Sequence, residues 1–211
     1  MRAAFPAVLL LSLAGLLILP ACSTMPPQDA DQAQRLRLHA DKSGRLELQT
    51  AWSLSGKLAI SNDRDGGSGR FNWHKNSQSS RMDFHGALGR GAWRLDADGA
   101  GARLEQADGT VHQASSVEHL IQSQVGWKLP VNHLAWWVRG LTAPGDLEEQ
   151  ELDAQGNLVR LVQDGWTIVF ARYRDFDGFD LPVRVTASQA DWKVKLVVSS
   201  WTLAGEPGSD G

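Results

Sequence analysis

The stretch AWSLSGKLAIS, residues 51–61, has the pattern of a β-strand and sets the fold class of the chain. Its apolar residues Trp52, Leu54, Leu58 and Ile60 stand in near alternation with other residues, which is the period of a strand that buries one face. Gly56 lies where this alternation shifts, which predicts a bend or a β-bulge. The segment DRDGGSG, residues 63–69, then predicts a turn into the next strand.

The same alternation continues along the chain in two sets of short segments separated by glycine- and aspartate-containing turns. The first set carries Phe71 and Trp73, Met82 and Phe84, Trp93 and Leu95, Ala102 and Leu104, and Val111. The second set comprises 158–162, 166–173, 181–187 and 192–203. Strands that are neighbours in sequence usually pair in space. The pattern therefore predicts a mainly antiparallel sheet.

Three segments break the alternation. Residues 31–49 are predicted to begin with a helix that Gly44 interrupts. Helical spacing is clearer in the middle of the chain, where a first apolar stripe is formed by Val117, Leu120, Ile121 and Val125. Ser115 or Ser116 is its expected N-cap, and Gly126 its expected end. A second stripe, with Asn132 as its expected cap, is formed by Leu134, Trp137, Val138 and Leu141.

The N-terminus has the pattern of an export signal. Arg2 precedes an almost wholly apolar run over residues 8–19, which is too short for an ordinary membrane-spanning helix. The run closes with LPAC, residues 19–22, which resembles the bacterial lipoprotein processing box. The alternative is an ordinary secretory signal with an incidental cysteine. We predict a signal peptide over 1–21, a lipidated N-terminus and tether over 22–34, a folded domain over 35–204 and a flexible tail over 205–211.

Cys22 is the only cysteine of the chain, so the folded domain has no disulfide. By its resemblance to processed lipoproteins, Cys22 is expected to carry an S-diacylglycerol and an N-acyl chain. Several acyl chains hold a protein to a bilayer almost irreversibly, whereas one does not. Ser23 after the cysteine favours the outer membrane, by resemblance to lipoprotein sorting signals. No other cofactor is expected.

Charge and motif content argue against two functional classes. Without Arg2, the chain has a net charge of about −4 and no run of basic residues, so nucleic acid is not an expected partner. The sequence contains no GxSxG elbow, no HExxH zinc motif and no nucleotide-binding P-loop, so we predict that the chain is not an enzyme. Asp175, Asp177 and Asp180 lack the later glutamate of a calcium loop and are interpreted as a polar turn.

Four segments together resemble the LolB family of outer-membrane lipoprotein receptors: WSLSGKLAI (52–60), GRFNWH (69–74), FHGALGRGAWRL (84–95) and WKLPVNHLAWWVRGL (127–141). The resemblance extends over essentially the whole chain. It implies a LolA/LolB-like fold, in which a curved antiparallel half-barrel sheet is covered by a lid of short helices and encloses a hydrophobic cavity. It also implies a function: a receptor that accepts acylated lipoproteins from a LolA-like periplasmic carrier and inserts them into the outer membrane.

The chain has 9 tryptophans and a single tyrosine, and several tryptophans alternate toward one face. Either these rings fill a closed core, or they line a cavity for acyl chains. On the cavity hypothesis, its lining includes Trp52, Trp73, Phe84, Trp93, Leu120, Trp137 and Trp166. The family resemblance further implies that Leu88, in the turn FHGALGRGAW, enters the membrane surface, although isolated exposed leucines are common and need no function.

Because no nucleotide hydrolysis in this chain drives transfer, the free energy of the cargo must decrease at each step, from carrier to receptor and from receptor to bilayer. The expected partners are therefore the carrier, acylated cargo and outer-membrane lipid, with the chain acting as a monomer. The alternative function is a structural or assembly lipoprotein that binds envelope proteins and needs no apolar cavity. Arg139 is a candidate lid latch.

Overall fold

The computed structural model describes residues 27–86 and 91–203. The predicted signal peptide over 1–21, the lipidation site Cys22, the turn residue Leu88 and the predicted tail over 205–211 lie outside the described residues. In the part that is described, no helix is both long and apolar enough to span a bilayer.

Eleven strands form one antiparallel sheet within the described residues. Their order across the sheet is β6-β5-β4-β3-β2-β1-β11-β10-β9-β8-β7, so the first and last strands pair at its centre. The strands are β1 (Trp52–Ser61), β2 (Gly66–Lys75), β3 (Ser79–Gly86), β4 (Trp93–Asp98), β5 (Gly101–Gln106), β6 (Val111–Ala114), β7 (Leu147–Leu152), β8 (Leu158–Gln163), β9 (Trp166–Phe176), β10 (Phe179–Gln189) and β11 (Trp192–Leu203).

The predicted irregularity at Gly56 is confirmed. The pairing register between β1 and β11 shifts between Ser55 and Gly56, as in a β-bulge. A Cβ atom at Gly56 would lie 2.2 Å from the carbonyl oxygen of Val197, so only glycine permits this close approach of the two central strands.

The two faces of the sheet differ in polarity because side chains alternate along each strand. The inner face is buried and consists of aromatic and aliphatic residues, such as Leu54, Met82 and Leu196. The outer face carries exposed polar and charged residues, such as Lys57, Arg81 and Lys195. The hydrophobic core therefore lies on one side of the sheet only.

Two short helices, α2 (Val117–Val125) and α3 (Val131–Trp137), cover the inner face. Ser116 caps α2 by accepting a hydrogen bond from the backbone N–H of His119 at 3.3 Å, and Gly126 ends the helix with a φ of 81°. The expected cap of α3 is wrong, because the helix begins at Val131 after Pro130. The backbone N–H of Asn132 instead donates to Oε1 of Glu118 on α2, at 3.0 Å.

The N-terminal helix α1 (Pro27–Glu47) is longer than predicted. It begins before residue 31, within the predicted tether, and continues through Gly44, where a side chain would meet nothing within 4 Å. Nδ1–H of His39 donates to the carbonyl oxygen of Gly156 at 3.1 Å, and Nζ of Lys42 donates to Asn157 at 2.8 Å. These bonds fix α1 to the turn between β7 and β8.

The predicted fold class, a curved antiparallel sheet covered by short helices, is confirmed. The strands predicted in both sets are present, and β11 has the predicted bounds. Strand β7, with the sequence LEEQEL, was not predicted, because it is an exposed edge strand without apolar alternation.

Candidate functional site

The structure brings all seven predicted cavity-lining residues together beneath α2 and α3. None of their side chains is more than 4% exposed. Trp52, Trp73, Phe84, Trp93 and Trp166 come from five different strands, whereas Leu120 lies on α2 and Trp137 on α3. The alternation of period two thus placed the five strand residues on the buried face of the sheet, and helical spacing placed Leu120 and Trp137 on the buried faces of their helices.

The aromatic rings of the inner face form two groups with edge contacts. In the first, the ring of Trp52 lies 5.1 Å from that of Trp73 and 5.5 Å from that of Trp201, both in edge-to-face geometry. Aromatic pairs in this geometry contribute about 0.5–1.5 kcal/mol beyond the burial of their area. The first group thus fixes the centre of the sheet, where β1, β2 and β11 meet.

The second group is built around Trp127, which lies in the connection between α2 and α3. Its ring makes an edge contact with Phe84 at 4.9 Å and another with Trp93 at 6.2 Å. The ring rests on β2 at Gly67, where a Cβ atom would lie 2.6 Å from Cζ2 of Trp127. The lid therefore inserts an aromatic ring into the inner face. Trp127 was not among the predicted lining residues, because it lies outside both helical stripes.

Two buried indole N–H groups of the inner face have no hydrogen-bond partner within the described residues. They belong to Trp93 on β4 and Trp201 on β11. The indole of Trp73, in contrast, donates to Oγ of Ser80 at 2.8 Å. A buried donor without a partner is uncommon in folded proteins and costs about 1–3 kcal/mol. Both groups are able to donate to an acceptor that enters the inner face.

A buried glutamine joins the lid to the sheet. Gln163, on β8, is fully buried, and its Oε1 accepts hydrogen bonds from Nε1 of Trp137 at 3.0 Å and from the backbone N–H of Ala143 at 3.1 Å. Its Nε2 donates to the carbonyl oxygen of Ala143 at 2.7 Å. Sequence reasoning missed this residue. The only available signal was a polar residue at an inward position of an apolar strand.

Arg139, just after α3, is buried without a carboxylate within 4.0 Å among the described residues. Its guanidinium donates to the carbonyl oxygens of Ala135, Leu46 and Gln49 at 3.1–3.3 Å, and lies 5.2 Å above the ring of Trp136. Burial lowers the pKa of Arg139 to about 10. The residue thus joins the end of α3 to the last turn of α1 and to the connection that follows it, while its role as a lid latch stays a prediction.

A groove of about 340 Å³ lies where the N-terminal ends of α2 and α3 meet the ends of β2–β5. Its apolar wall includes Trp73, Val131 and Ala135, and its rim is polar, with Ser116 and Glu118. The groove thus leads from solvent to the edge of the inner face, between the lid and the sheet.

Neither of the other site types considered from the sequence gains support among the described residues. No group of three or more histidine, cysteine, aspartate or glutamate side chains there is suited to a metal ion. Asp177 has a φ of 54° in the turn between β9 and β10, and Asp180 accepts a hydrogen bond from Nζ of Lys42 at 2.8 Å. Asp177 therefore lies in the turn itself, whereas Asp175 and Asp180 face each other at the ends of β9 and β10, next to that turn.

Comparison with known proteins agrees with this architecture. The family model described as "Outer membrane lipoprotein LolB" matches residues 50–201. The outer-membrane lipoprotein LolB of Pseudomonas aeruginosa strain LESB58 is 38% identical over 197 residues, covering 92% of this chain and 95% of the relative. The corresponding protein of Stutzerimonas stutzeri strain A1501 is 35% identical over 187 residues, covering 88% and 90%.

Among solved structures, a LolA superfamily protein from Nitrosomonas europaea superimposes with a TM-score of 0.50 and covers 84% of this chain and 94% of its own. At 10% sequence identity this likeness shows a common fold. The family match includes ten of the eleven strands in full and both lid helices. The chain therefore belongs to the LolB family of outer-membrane lipoproteins.

Proposed function

We propose that this protein is a receptor at the outer membrane that accepts acylated lipoproteins from a LolA-like carrier and passes their acyl chains into the bilayer. The observation that carries the proposal is the aromatic inner face, which spans the sheet and is closed by two short helices and the ring of Trp127. Membership of the LolB family supports the outer-membrane location. Catalysis has no part in the proposal.

An acyl chain enters, on this proposal, by displacing the lid. The groove beside Trp73, Val131 and Ala135 is the place where a chain first meets the inner face. Trp127 must then leave its seat on Gly67, because its ring fills the space beside Phe84 and Trp93.

Burial of the chain is large enough to drive this opening. A palmitoyl chain gains roughly 12 kcal/mol at about 0.8 kcal/mol per methylene. Re-exposing three large apolar lid side chains costs about 5–9 kcal/mol. The lid can therefore stay closed in the empty protein and still open for cargo.

The unpartnered indole N–H groups of Trp93 and Trp201 support an acylated ligand over a plain hydrocarbon. Each acyl chain of a lipoprotein ends in an ester or amide carbonyl, which accepts hydrogen bonds. A carbonyl within reach of either indole would satisfy a donor that has no partner in the closed state.

Release into the bilayer follows from affinities alone. Each tenfold step in affinity corresponds to about 1.4 kcal/mol, so modest differences between carrier, receptor and bilayer are sufficient for one-way transfer. The acyl chains proposed for Cys22 keep the receptor at the membrane throughout, and Leu88 is proposed to act at the membrane surface.

The test uses a soluble form that begins at Ser23 and so contains every described residue. We expect it to bind an environment-sensitive apolar fluorophore, and a triacylated peptide to compete where the same peptide without acyl chains does not. Trp127→Ala should speed fluorophore entry, because it removes the ring that closes the inner face. Trp192→Ala, at the half-buried start of β11, is the matched control and should leave the entry rate unchanged.

A transfer assay completes the test. Acylated cargo should move from the purified carrier to the soluble form, and then into added vesicles. A folded protein that binds neither the fluorophore nor the acylated peptide would overturn the proposal and favour an assembly lipoprotein that binds envelope proteins.

A further inference from the structure

We propose that the outer face of the central strands is a basic surface that binds the phosphate headgroups of an anionic lipid bilayer. This goes beyond acyl carriage, since the surface lies on the opposite side of the sheet from the lid and is expected to bind in the empty protein. The basic surface is defined by Arg70, Lys57, Lys195 and Arg184, with His85 and the arginines Arg172 and Arg174 at its margins.

The pairing register aligns these residues into a row across the sheet. His85 on β3 pairs with Arg70 on β2, and Arg70 pairs with Lys57 on β1. Lys57 pairs with Val197 on β11, which in turn pairs with Arg184 on β10. Directly opposite residues have Cβ atoms about 5 Å apart, so the cations Arg70, Lys57 and Arg184 lie in one row, with Val197 between Lys57 and Arg184.

Two grooves follow this row and meet at Val197. The first, of about 610 Å³, is lined by Lys57, Arg70, His85 and Lys195 around Leu58 and Ala59. The second, of about 290 Å³, is lined by Arg172, Arg174 and Arg184 around Val183 and Val198. Among the residues that the structure describes, neither groove has an aspartate or glutamate in its lining.

The four cations of the basic surface are exposed and unneutralised. Within residues 27–86 and 91–203, no carboxylate oxygen lies within 4.0 Å of the side-chain nitrogens of Lys57, Arg70, Lys195 or Arg184. The positive charges of such a cluster repel one another unless an anion lies nearby.

A neighbouring groove on the same face shows the ordinary arrangement. This groove, of about 1370 Å³, is lined by both signs of charge. Arg94 there donates to Asp83 at 2.7 Å, and Arg81 is paired with Asp96. The contrast separates a neutralised part of the outer face from the basic surface.

A lipid bilayer fits this surface for three reasons. The chain as a whole is acidic, with a net charge of −3, so the cations are concentrated against the overall charge. The row from Arg70 to Arg184 lies on the exposed outer face of four neighbouring strands, and the half-buried Ala59 and Val197 lie among its cations. A member of an outer-membrane lipoprotein family also lies beside a lipid bilayer, whose phosphate headgroups are anionic. Each lysine or arginine near an anionic membrane strengthens binding about fivefold.

Binding through the basic surface has an orientational consequence. The outer face would lie against the bilayer, and α2 and α3, which cover the other face, would point away from it. The lid is then accessible to an incoming carrier while the sheet is held at the membrane.

The experiment measures co-sedimentation of the soluble form beginning at Ser23 with vesicles of phosphatidylcholine containing 0 or about 30% phosphatidylglycerol at low salt. We expect binding to the anionic vesicles alone. The double variant Lys57→Gln/Arg184→Gln should weaken that binding about 25-fold. The control Arg103→Gln/Arg160→Gln removes the same charge at cations that already have carboxylate partners, and should weaken binding less than threefold.

Three results would overturn the proposal. The first is an equal loss of vesicle binding in the two double variants, and the second is no binding of the unmodified protein to anionic vesicles. The third is a Lys57→Gln/Arg184→Gln variant that keeps vesicle binding but loses binding to the purified carrier. Fluorophore affinity is measured in parallel and should not change. If the unmodified protein binds anionic vesicles but not the fluorophore, that result would count against acyl carriage and leave the proposal of the basic surface in place.

Discussion

Nε1 of Trp137 on α3 donates to Oε1 of Gln163 on β8 at 3.0 Å, and both side chains are fully buried. The same glutamine holds both backbone groups of Ala143, in the segment that leads from the lid to β7. One side chain of the sheet therefore fixes the C-terminal end of the lid through three buried hydrogen bonds. The α2–α3 connection is held by the ring contacts of Trp127 and by one exposed hydrogen bond, from Nζ of Lys128 to Oε1 of Gln189 on β10 at 2.6 Å. We therefore expect the connection around Trp127 to open before the C-terminal end of the lid does.

Replacing Gln163 with leucine should destabilise the protein strongly. The substitution leaves the indole N–H of Trp137 and both backbone groups of Ala143 buried without a partner, and each such group costs about 1–3 kcal/mol. We expect the free energy of unfolding in urea to fall by about 3 kcal/mol or more. Gln113→Leu, at an exposed position of β6, is the control and should change it by less than about 0.5 kcal/mol. Equal effects of the two variants would contradict the role given to Gln163.

Gly67→Ala should displace the ring of Trp127 from its position against β2. The new methyl group would lie 2.6 Å from the indole ring, so either the ring or the strand must shift, at about 1–3 kcal/mol. We expect red-shifted tryptophan fluorescence and faster entry of the apolar fluorophore. Gly99→Ala serves as the control, since a Cβ atom there meets nothing within 4 Å. An unchanged emission spectrum in Gly67→Ala would show that Trp127 does not rest on this glycine.

The attachment of α1 should weaken in mild acid. Burial lowers the pKa of His39 below 6.5, and the positive charge of Lys42 lowers it further, although the hydrogen bond from Nδ1–H to the carbonyl oxygen of Gly156 acts in the opposite direction. The unfolded chain therefore binds the proton more readily, and the stabilisation present above pH 6.5 is lost as the pH falls through and below that value. Urea midpoints at pH 7.5 and 5.5 should differ more in the unmodified protein than in His39→Gln. His74→Gln, at an exposed position, should retain the full difference.

Leu88→Glu should separate cargo binding from cargo release. A single leucine contributes at most about 1.5–3 kcal/mol at a membrane surface, far less than the acyl anchor, so neither folding nor anchoring should change. We expect normal transfer from carrier to receptor and a loss of transfer from receptor to vesicles. Leu48→Glu, at a leucine that is 75% exposed, is the control. Normal release by Leu88→Glu would remove Leu88 from the mechanism.

The local chemistry of the chain was sufficient to predict most of the sheet and the lid. Period-two alternation located Trp52, Trp73 and Trp93 on one face, and the helical stripe with its serine cap located α2, because each pattern reflects burial on one side of a single element. Strand β7 was not predicted because its partner β8 supplies the buried side chains, and half of the residues of β7 are glutamates.

The features that sequence reasoning missed depend on contacts between distant segments. Gln163 is a polar clamp only because Trp137 and Ala143 reach it from the lid. The basic surface arises from a register that brings Arg70, Lys57 and Arg184 into one row from three separate strands. No local window of sequence contains either relationship, so neither could be predicted before the strand order was known.

The pairing of β1 with β11 has a consequence for biogenesis. The two central strands are separated by about 130 residues of chain, so the sheet cannot be completed until β11 has been synthesised. Contacts between such distant segments also form slowly. During passage through a membrane, the part of the chain that crosses ahead of β11 therefore cannot complete the sheet until β11 follows it.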